Sequence, residues 1–433
     1  MAKKSAVATL DLFPSYSDVA VTNSSMFATN MALPIHGWYR YTAGFSAEWV
    51  RQLLEEQRAK GRTHVLDPFA GSGTVLLESE FQGIEAMGLE SQPYIYKIAS
   101  AKLLWQTDTA LFHAASRQLL AAAQAQTIKT AEYPELLLKC FPLPILHKLD
   151  ALKQAWTILS AAENQKDLLW FAITAILRTC SPVGTAQWQY IQPTKSKAKV
   201  IDPFVAFEKK CANMARDMAQ MQCLDAYVVP AAIFNDDSRQ ITSVPDGWAD
   251  LIITSPPYAN NYDYADATRL EMMFWGFIAG WGDLQGEVRG KLIRACTQHV
   301  GRLAAEVDAI LSAPQLACIK AELLDVYQKL DAERHLHGGK KNYHFMIAAY
   351  FHDLADVLSS LRRVTRTGAL MCFVVGDSAP YGIYVPVDRW LGEIALAAGF
   401  KNYHFEKLRD RNTKWKNRKH TVPLHEGRLW IEG

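Results

Sequence analysis

Four short apolar runs, each ending in a turn of glycine, acidic or proline residues, constrain this 433-residue chain more than any other feature. The first is His64-Val65-Leu66, which enters Asp67-Pro68-Phe69-Ala70-Gly71-Ser72-Gly73-Thr74 and then the helical Val75-Leu76-Leu77-Glu78. That order reads as strand, glycine turn, helix. The second run, Ile84 to Leu89, ends at Glu90; the third, Tyr227 to Phe234, ends in Asn235-Asp236-Asp237; the fourth, Leu251 to Thr254, ends in Ser255-Pro256-Pro257-Tyr258. Largely apolar runs suit strands buried on both faces, which a parallel sheet covered by helices requires. Later segments complete the set: a helix over Phe351 to Val364, a strand over Ala369 to Val375, a helix over Arg389 to Ala398, and strands over Tyr403 to Leu408 and Arg428 to Ile431.

Between the second and third runs lie about 120 residues, roughly 105 to 225, far more than a crossover needs. A mainly helical insertion is expected there, with Leu168 to Leu177 apolar on all sides as a buried helix. A second helical insertion is expected over about 276 to 341, bounded near Gly338-Gly339. The division that follows is 1–104, 105–225, 226–275, 276–341 and 342–433, with 105–225 a candidate for recognition.

Composition narrows the setting. With 49% hydrophobic and 21% charged residues the chain is neither disordered nor fibrous, and no apolar run approaches the roughly 18 residues of a membrane span. The start, MAKKSAVATLDLFPSYSD, turns polar too soon for a secretory segment, so a cytoplasmic protein is expected. The 7 cysteines include no C-x-x-C pair, and no metal is expected. A net charge of +2 says little about partners, so local clusters carry that argument. One is Lys195, Lys197 and Lys199, flanked by Trp188, Tyr190 and Pro193; the other spans Lys407 to His420, with Arg409, Arg411, Lys414, Lys416, Arg418 and Lys419 around Trp415.

In open parallel sheets ligands bind outside the carboxyl ends of the strands, so the four turns should face one crevice. Gly71 and Gly73 let a ligand approach the backbone at the start of a helix whose dipole favours a carboxylate. No lysine follows Gly73, so this is no phosphate loop. Glu90 stands where a carboxylate can accept from ribose hydroxyls, while Asp236 or Asp237 can meet an adenine amino group or cap a helix. In Ser255-Pro256-Pro257-Tyr258 the two prolines surrender their backbone donors and leave carbonyls free to accept. The serine oxygen and the Pro256 carbonyl can each accept from an exocyclic amino group, and Tyr258 offers a ring on which an extruded base can stack.

Asp67 to Thr74 resembles the D-P-F-x-G-S-G-T cofactor motif, and Ser255 to Tyr258 the S-P-P-Y catalytic motif, of amino-methyltransferases acting on DNA. Pro34 to Tyr41, including Trp38 and Tyr39, with Phe45-Ser46 and the helix that follows, resembles the family's segment covering the methionine end of the cofactor. Asn261 to Tyr264, Arg269 to Glu271 and Val374 to Ser378 resemble the remainder of the catalytic domain. The resemblance covers roughly 34–104, 226–275 and 342–433 and omits both insertions. It implies an α/β, Rossmann-like class I methyltransferase sheet with two mainly helical insertions, S-adenosylmethionine as cofactor, and double-stranded DNA as substrate. It also implies a setting in restriction-modification or phage defence, with a cognate restriction endonuclease encoded elsewhere. The larger insertion precedes the third strand, not the fourth where the family pattern leads one to expect recognition.

Serine at the first position of Ser255-Pro256-Pro257-Tyr258 resembles the cytosine-N4 enzymes, whereas Asp or Asn is commoner among adenine-N6 enzymes. Methylation of cytosine carbon five needs a cysteine after a proline, and the chain has no Pro-Cys dipeptide. The expected mechanism is in-line attack by the amino nitrogen, oriented by Ser255 and Pro256, without a covalent intermediate. Alternatives left by the residues are an adenine-N6 enzyme, an RNA or protein amino-methyltransferase, and a catalytically silent DNA-recognition subunit. A nicotinamide oxidoreductase is disfavoured by the missing third glycine.

Overall fold

A computed structural model of the chain describes residues 27–41, 44–126, 132–183, 196, 199–224, 228–260, 263–301, 305–338, 341–411 and 422–433. Its centre is a seven-stranded sheet of β1 (His64–Asp67), β2 (Glu85–Leu89), β3 (Ala232–Phe234), β4 (Ala249–Thr254), β5 (Thr365–Gly376), β6 (Asn402–Arg411) and β7 (Leu424–Glu432). In space the order is β3-β2-β1-β4-β5-β7-β6. The first five strands are mutually parallel, and β7 runs antiparallel between β5 and β6. This is an α/β, Rossmann-like fold. The chain order reverses between β1 and β4, where Leu66 lies opposite Ile252, so the switch point at which such sheets bind ligands lies between these two strands.

Both faces of the sheet are covered, which accounts for the continuous apolar runs. On one face Val65, Leu251, Ile253 and Cys372 pack with Val50, Leu54, Val75 and Leu76 from α1 (Ala47–Ala59) and α2 (Thr74–Phe81). On the other, Leu66, Ile252, Met371 and Phe373 meet Ile347, Phe351, Leu354, Trp390 and Leu391. The residues alternate along each strand because successive side chains point to opposite faces.

Between β2 and β3 run α3 (Pro93–Leu103), α4 (Thr109–Ala125), α5 (Glu135–Cys140), α6 (Leu143–Ile158), α7 (Glu163–Cys180) and α8 (Pro203–Gln222), which share one apolar core. Leu168 to Leu177 lies within α7 and is mostly buried. After β4 come α9 (Tyr264–Ala267), α10 (Arg269–Trp275), a π turn at Leu284–Val288, 3-10 turns at Arg289–Lys291 and Thr297–His299, α11 (Val307–Leu311) and α12 (Lys320–Leu336). Residues 276–301 thus form turns more than helices, and glycines at 276, 280, 282, 286 and 290 interrupt any longer run. Beyond them, α13 (Tyr343–Val364) and α14 (Val387–Ala397) flank β5.

Boundaries differ from expectation for identifiable reasons. Pairing of β3 begins at Ala232, because Pro230 has no donor for the ladder. Helix α13 starts at Tyr343, eight buried or nearly buried residues before the expected Phe351. Strand β5 extends to Gly376 because β7 pairs with it along Leu370 to Gly376. Among the described residues no helix is long and apolar enough to cross a membrane.

Candidate active site

The bend after β1 and the bend after β4 leave neighbouring parallel strands at the same edge. A direct bond joins their roots: Thr254 Oγ1 donates to Asp67 Oδ1 at 2.6 Å. The same Asp67 oxygen accepts from the Phe69 amide at 3.0 Å, which closes the turn. Burial pushes the Asp67 carboxyl up to about 7 despite these two bonds. Asp67 is therefore a brace between the two motifs, set beneath the turn.

Gly71 and Gly73 have φ of 52° and 81°, a region costly for any residue with a Cβ. At Gly71 a Cβ would also lie 3.1 Å from the Tyr41 ring, so this aromatic residue lies against the glycine bend. Ala70 sends its amide to the Leu89 carbonyl at 2.9 Å, while Glu90 Oε2 accepts from the Gly71 amide at 3.0 Å and Oε1 from the Gln92 amide at 2.8 Å. Glu90 thus sits beside the bend with lone pairs to spare. Burial raises its carboxyl to about 7, the amides of Gln92 and Gly71 offsetting only part of that. Pro68 accepts through its carbonyl from Ser238 Oγ, and Ser72 and Thr74 are buried at the start of α2.

Asp236 does not cap a helix. It gathers a turn, accepting from the amides of Thr242 and Ser243 at 2.8 and 2.9 Å and from the Ser243 hydroxyl at 2.7 Å. Burial pushes its pKa upward, but these bonds outweigh it and leave the carboxyl below its ordinary value. Asp237 is paired with Arg239 at 2.6 Å. Asn235, passed over in the sequence, donates from Nδ2 to the Glu90 carbonyl at 2.7 Å and ties β3 to β2.

The segment before α1 divides. Ser46 caps α1, accepting from the Trp49 amide at 3.4 Å, and buried Phe45 meets the Trp49 ring edge-on at 5.3 Å. Trp38 and Tyr39, expected to cover a cofactor, both reach the helical layer. The Trp38 indole donates to Asp217 of α8 at 3.0 Å, Tyr39 bonds the Tyr94 hydroxyl at 3.0 Å, and both rings meet Phe171 edge-on. They dock this segment on the helical layer. What binds it to the glycine bend is Lys102, wholly buried, whose Nζ donates to the carbonyls of Ser72 and His36 at 3.2 and 3.3 Å. Burial, with Lys210 nearby, pulls this ammonium down to about 7. His36 also meets Glu78 at 2.9 Å, and Arg51 pairs with the same carboxylate at 2.9 Å.

At the proline bend, Ser255 Oγ donates to the Val374 carbonyl at 3.2 Å. With its proton so placed, the serine oxygen has only lone pairs to offer elsewhere. The pKa of the Tyr258 hydroxyl is raised by burial and by Glu426. Pro256 is buried and Pro257 partly so. Above Tyr258 lies Arg411, its guanidinium 5.2 Å from the ring centroid. Arg409, two residues earlier on β6, pairs with Glu426 at 2.7 Å. Lys414, Trp415, Lys416, Arg418 and Lys419 lie outside the described residues, as do Lys195 and Lys197; Lys199 is exposed.

Buried ion pairs fasten the segment following Tyr258 to both neighbouring regions. Asp263 caps α9 and pairs with Arg289 at 2.5 Å and His299 at 3.3 Å. Glu271 takes Arg178 of α7 at 2.5 Å, and Arg178 donates again to the Ala267 carbonyl. A buried pair broken on one side costs about 3–5 kcal/mol, so these pairs lock α9 and α10 in place.

A sheet whose glycine and proline bends leave adjacent parallel strands at its switch point places a candidate ligand site of the Rossmann-like kind there. The chain is 26% identical over 414 residues to Type II methyltransferase M.AvaI of Nostoc sp. and to that of Anabaena variabilis, spanning 86% of this chain and 80% of each relative. It is 24% identical over 438 residues to Type II methyltransferase M.BsoBI of Geobacillus stearothermophilus, spanning 89% of this chain and 82% of the relative. No protein-family model matches the chain. Over most of its length the chain is thus similar to type II methyltransferases.

Proposed function

We propose that this protein transfers a methyl group from S-adenosylmethionine to the exocyclic N4 of a cytosine everted from duplex DNA, as the modification half of a restriction-modification system. The observation that carries this reading is the Thr254–Asp67 bond at 2.6 Å, which holds the glycine bend and the proline bend at one edge of adjacent strands.

The glycine side fits the cofactor by its own chemistry. A surface without a Cβ at Gly71 and a carboxylate with spare lone pairs at Glu90 match a backbone-hugging ligand with ribose hydroxyls. Gly73 begins α2 in the left-handed region, so the helix N-terminus faces the bend and favours the amino-acid carboxylate. Asp67 holds the turn in shape, while Tyr41 and Lys102 keep the preceding segment against it. When bound, S-adenosylmethionine supplies an electrophilic methyl group.

The chain's residues then do the positioning. The Pro256 carbonyl and the Ser255 oxygen accept the two amino hydrogens, which turns the nitrogen lone pair toward the methyl group. Tyr258 gives the base a stacking surface, worth about 1–3 kcal/mol. Orientation and charge placement account for the rate without a nucleophilic side chain. Serine at position 255 is what favours cytosine. Arg409, Arg411 and the basic stretch 414–419 supply the phosphate contacts that duplex DNA requires.

Incubation with labelled cofactor and unmethylated plasmid DNA, followed by digestion to nucleosides, tests the reading. Label in N4-methylcytosine is expected. Label confined to N6-methyladenine replaces cytosine by adenine, and label in RNA or protein alone overturns the DNA assignment.

A further inference from the structure

Arg411 is placed unlike four other arginines of the chain. Arg178, Arg289, Arg294 and Arg409 each meet a carboxylate at 2.5 to 2.7 Å. Arg411 has no carboxylate partner among the described residues; its one hydrogen bond is from Nη1 to the neutral Asp377 carbonyl, at 2.7 Å. Its guanidinium rests on the Tyr258 ring at 5.2 Å from the centroid. The seat uses the space that Gly376 leaves: a Cβ there would lie 2.6 Å from Arg411 Nη1, so any larger residue would make the guanidinium shift. A full positive charge is thus parked, unneutralised, on the ring of the catalytic bend.

That position conflicts with the chemistry of the same bend. As the amino nitrogen attacks, the carbon–nitrogen bond forms, the carbon–sulfur bond breaks, and positive charge passes from sulfur to nitrogen until the amine loses a proton. Because the charge is moved and not created, only the difference between its distances to nitrogen and to sulfur counts; a guanidinium a few ångströms nearer the nitrogen, at an effective dielectric near 20, slows the step by roughly three- to tenfold. The cation also covers a face of Tyr258 that a base needs. A ring–cation contact is of similar strength to a base–ring stack or weaker, so an arriving base can displace it.

We propose that Arg411 is a place-holder for the target base: it covers Tyr258 in the free protein and, when the base arrives, swings to a DNA phosphate beside the everted nucleotide. The inference rests on the DNA reading above and assigns Arg411 as a positioning residue. Its place at the last position of β6, with a long side chain and no anion of its own, suits a guanidinium exchanging a ring for a phosphate.

The test is methyl transfer to plasmid duplex DNA over a range of salt, with wild type, Arg411→Ala, Arg411→Lys and Gly376→Ala. Calorimetric cofactor binding checks that each variant is folded. For Arg411→Ala the account expects a rise in KM for DNA of about tenfold, with a much smaller change in kcat. The slope of log KM against log salt should fall by about 0.9, the signature of one lost phosphate contact. Arg411→Lys should restore most of that slope. Gly376→Ala evicts the guanidinium from its seat yet keeps the phosphate contact, so the wild-type salt slope is expected. A loss that falls on kcat with the slope retained means that Arg411 stays at the base during transfer and overturns the inference, as does an Arg411→Ala protein with wild-type KM and slope. Wild-type protein that labels no DNA overturns the function as well, and is told apart by that control alone.

Discussion

The glycine bend and the proline bend occupy equivalent positions on adjacent strands, yet they are built on opposite principles. At the glycine bend, backbone donors dominate: amides of residues 69, 71 and 92 point at Asp67 and Glu90, and positive φ leaves the chain bare. At the proline bend two amide donors are deleted, and the Ser255 proton is spent on Val374. One bend ties its amides to two carboxylates and keeps the spare lone pairs of Glu90 at its rim; the other has lost two backbone donors and keeps the carbonyl of Pro256 and the serine oxygen as acceptors. A ligand with a carboxylate and hydroxyls suits the first, and an amino group suits the second. The strand pairing is shared, and the hydrogen-bond polarity of the turn residues separates the roles.

The largest effect that would break or sharpen this contrast is at Gly71. Gly71→Val puts a branched side chain at φ 52° and against Tyr41, and cofactor affinity should fall by at least about a hundredfold in calorimetry. Tyr258→Ala should instead leave cofactor affinity within about twofold while kcat/KM for DNA drops roughly ten- to a hundredfold, the worth of one stacked base. If either variant damaged both measurements alike, the two bends would not be separate binding elements.

Glu90→Gln comes next, with an expected loss of about tenfold in cofactor affinity. The pH profile sharpens this prediction. Because the free carboxyl is raised to about 7 and its ionised form accepts ribose hydroxyls, wild-type affinity is full above about pH 7 and weakens as pH falls below it, by up to tenfold per unit. The glutamine variant should lack that slope; a variant that keeps it assigns the slope to another group. The smallest effect belongs to Trp38→Phe, which removes the indole bond to Asp217. A loss of about 1 kcal/mol in urea unfolding is expected, with cofactor affinity unaltered. A tenfold loss of affinity would return Trp38 to the cofactor site.

What the residues disclosed in advance follows from the same contrast. Asp67 to Thr74 and Ser255 to Tyr258 are legible because turn chemistry is local: glycine and proline act on their own φ and their own amides. The buried-on-both-faces strands were legible from their unbroken apolar character. Contacts made across the chain were not. Lys102 reads as one lysine in a helix, and only the fold brings it to the carbonyls of His36 and Ser72. Gly376, Arg411 and Tyr258 belong to three separate strand ends, so no spacing rule unites them. The bonding of Trp38 to Asp217 was not legible, because aromatic residues before a glycine motif suit a cofactor lid and a helix-docking face equally well.

The central claim is that the two bends hold donor and acceptor of one methyl transfer. A crystal structure of the protein with S-adenosylmethionine tests it most directly. The account predicts ribose hydroxyls on Glu90, the amino-acid carboxylate at the start of α2, and the methyl group directed toward Ser255 and Pro256. A cofactor bound elsewhere, or one whose methyl group points away from the proline bend, contradicts it.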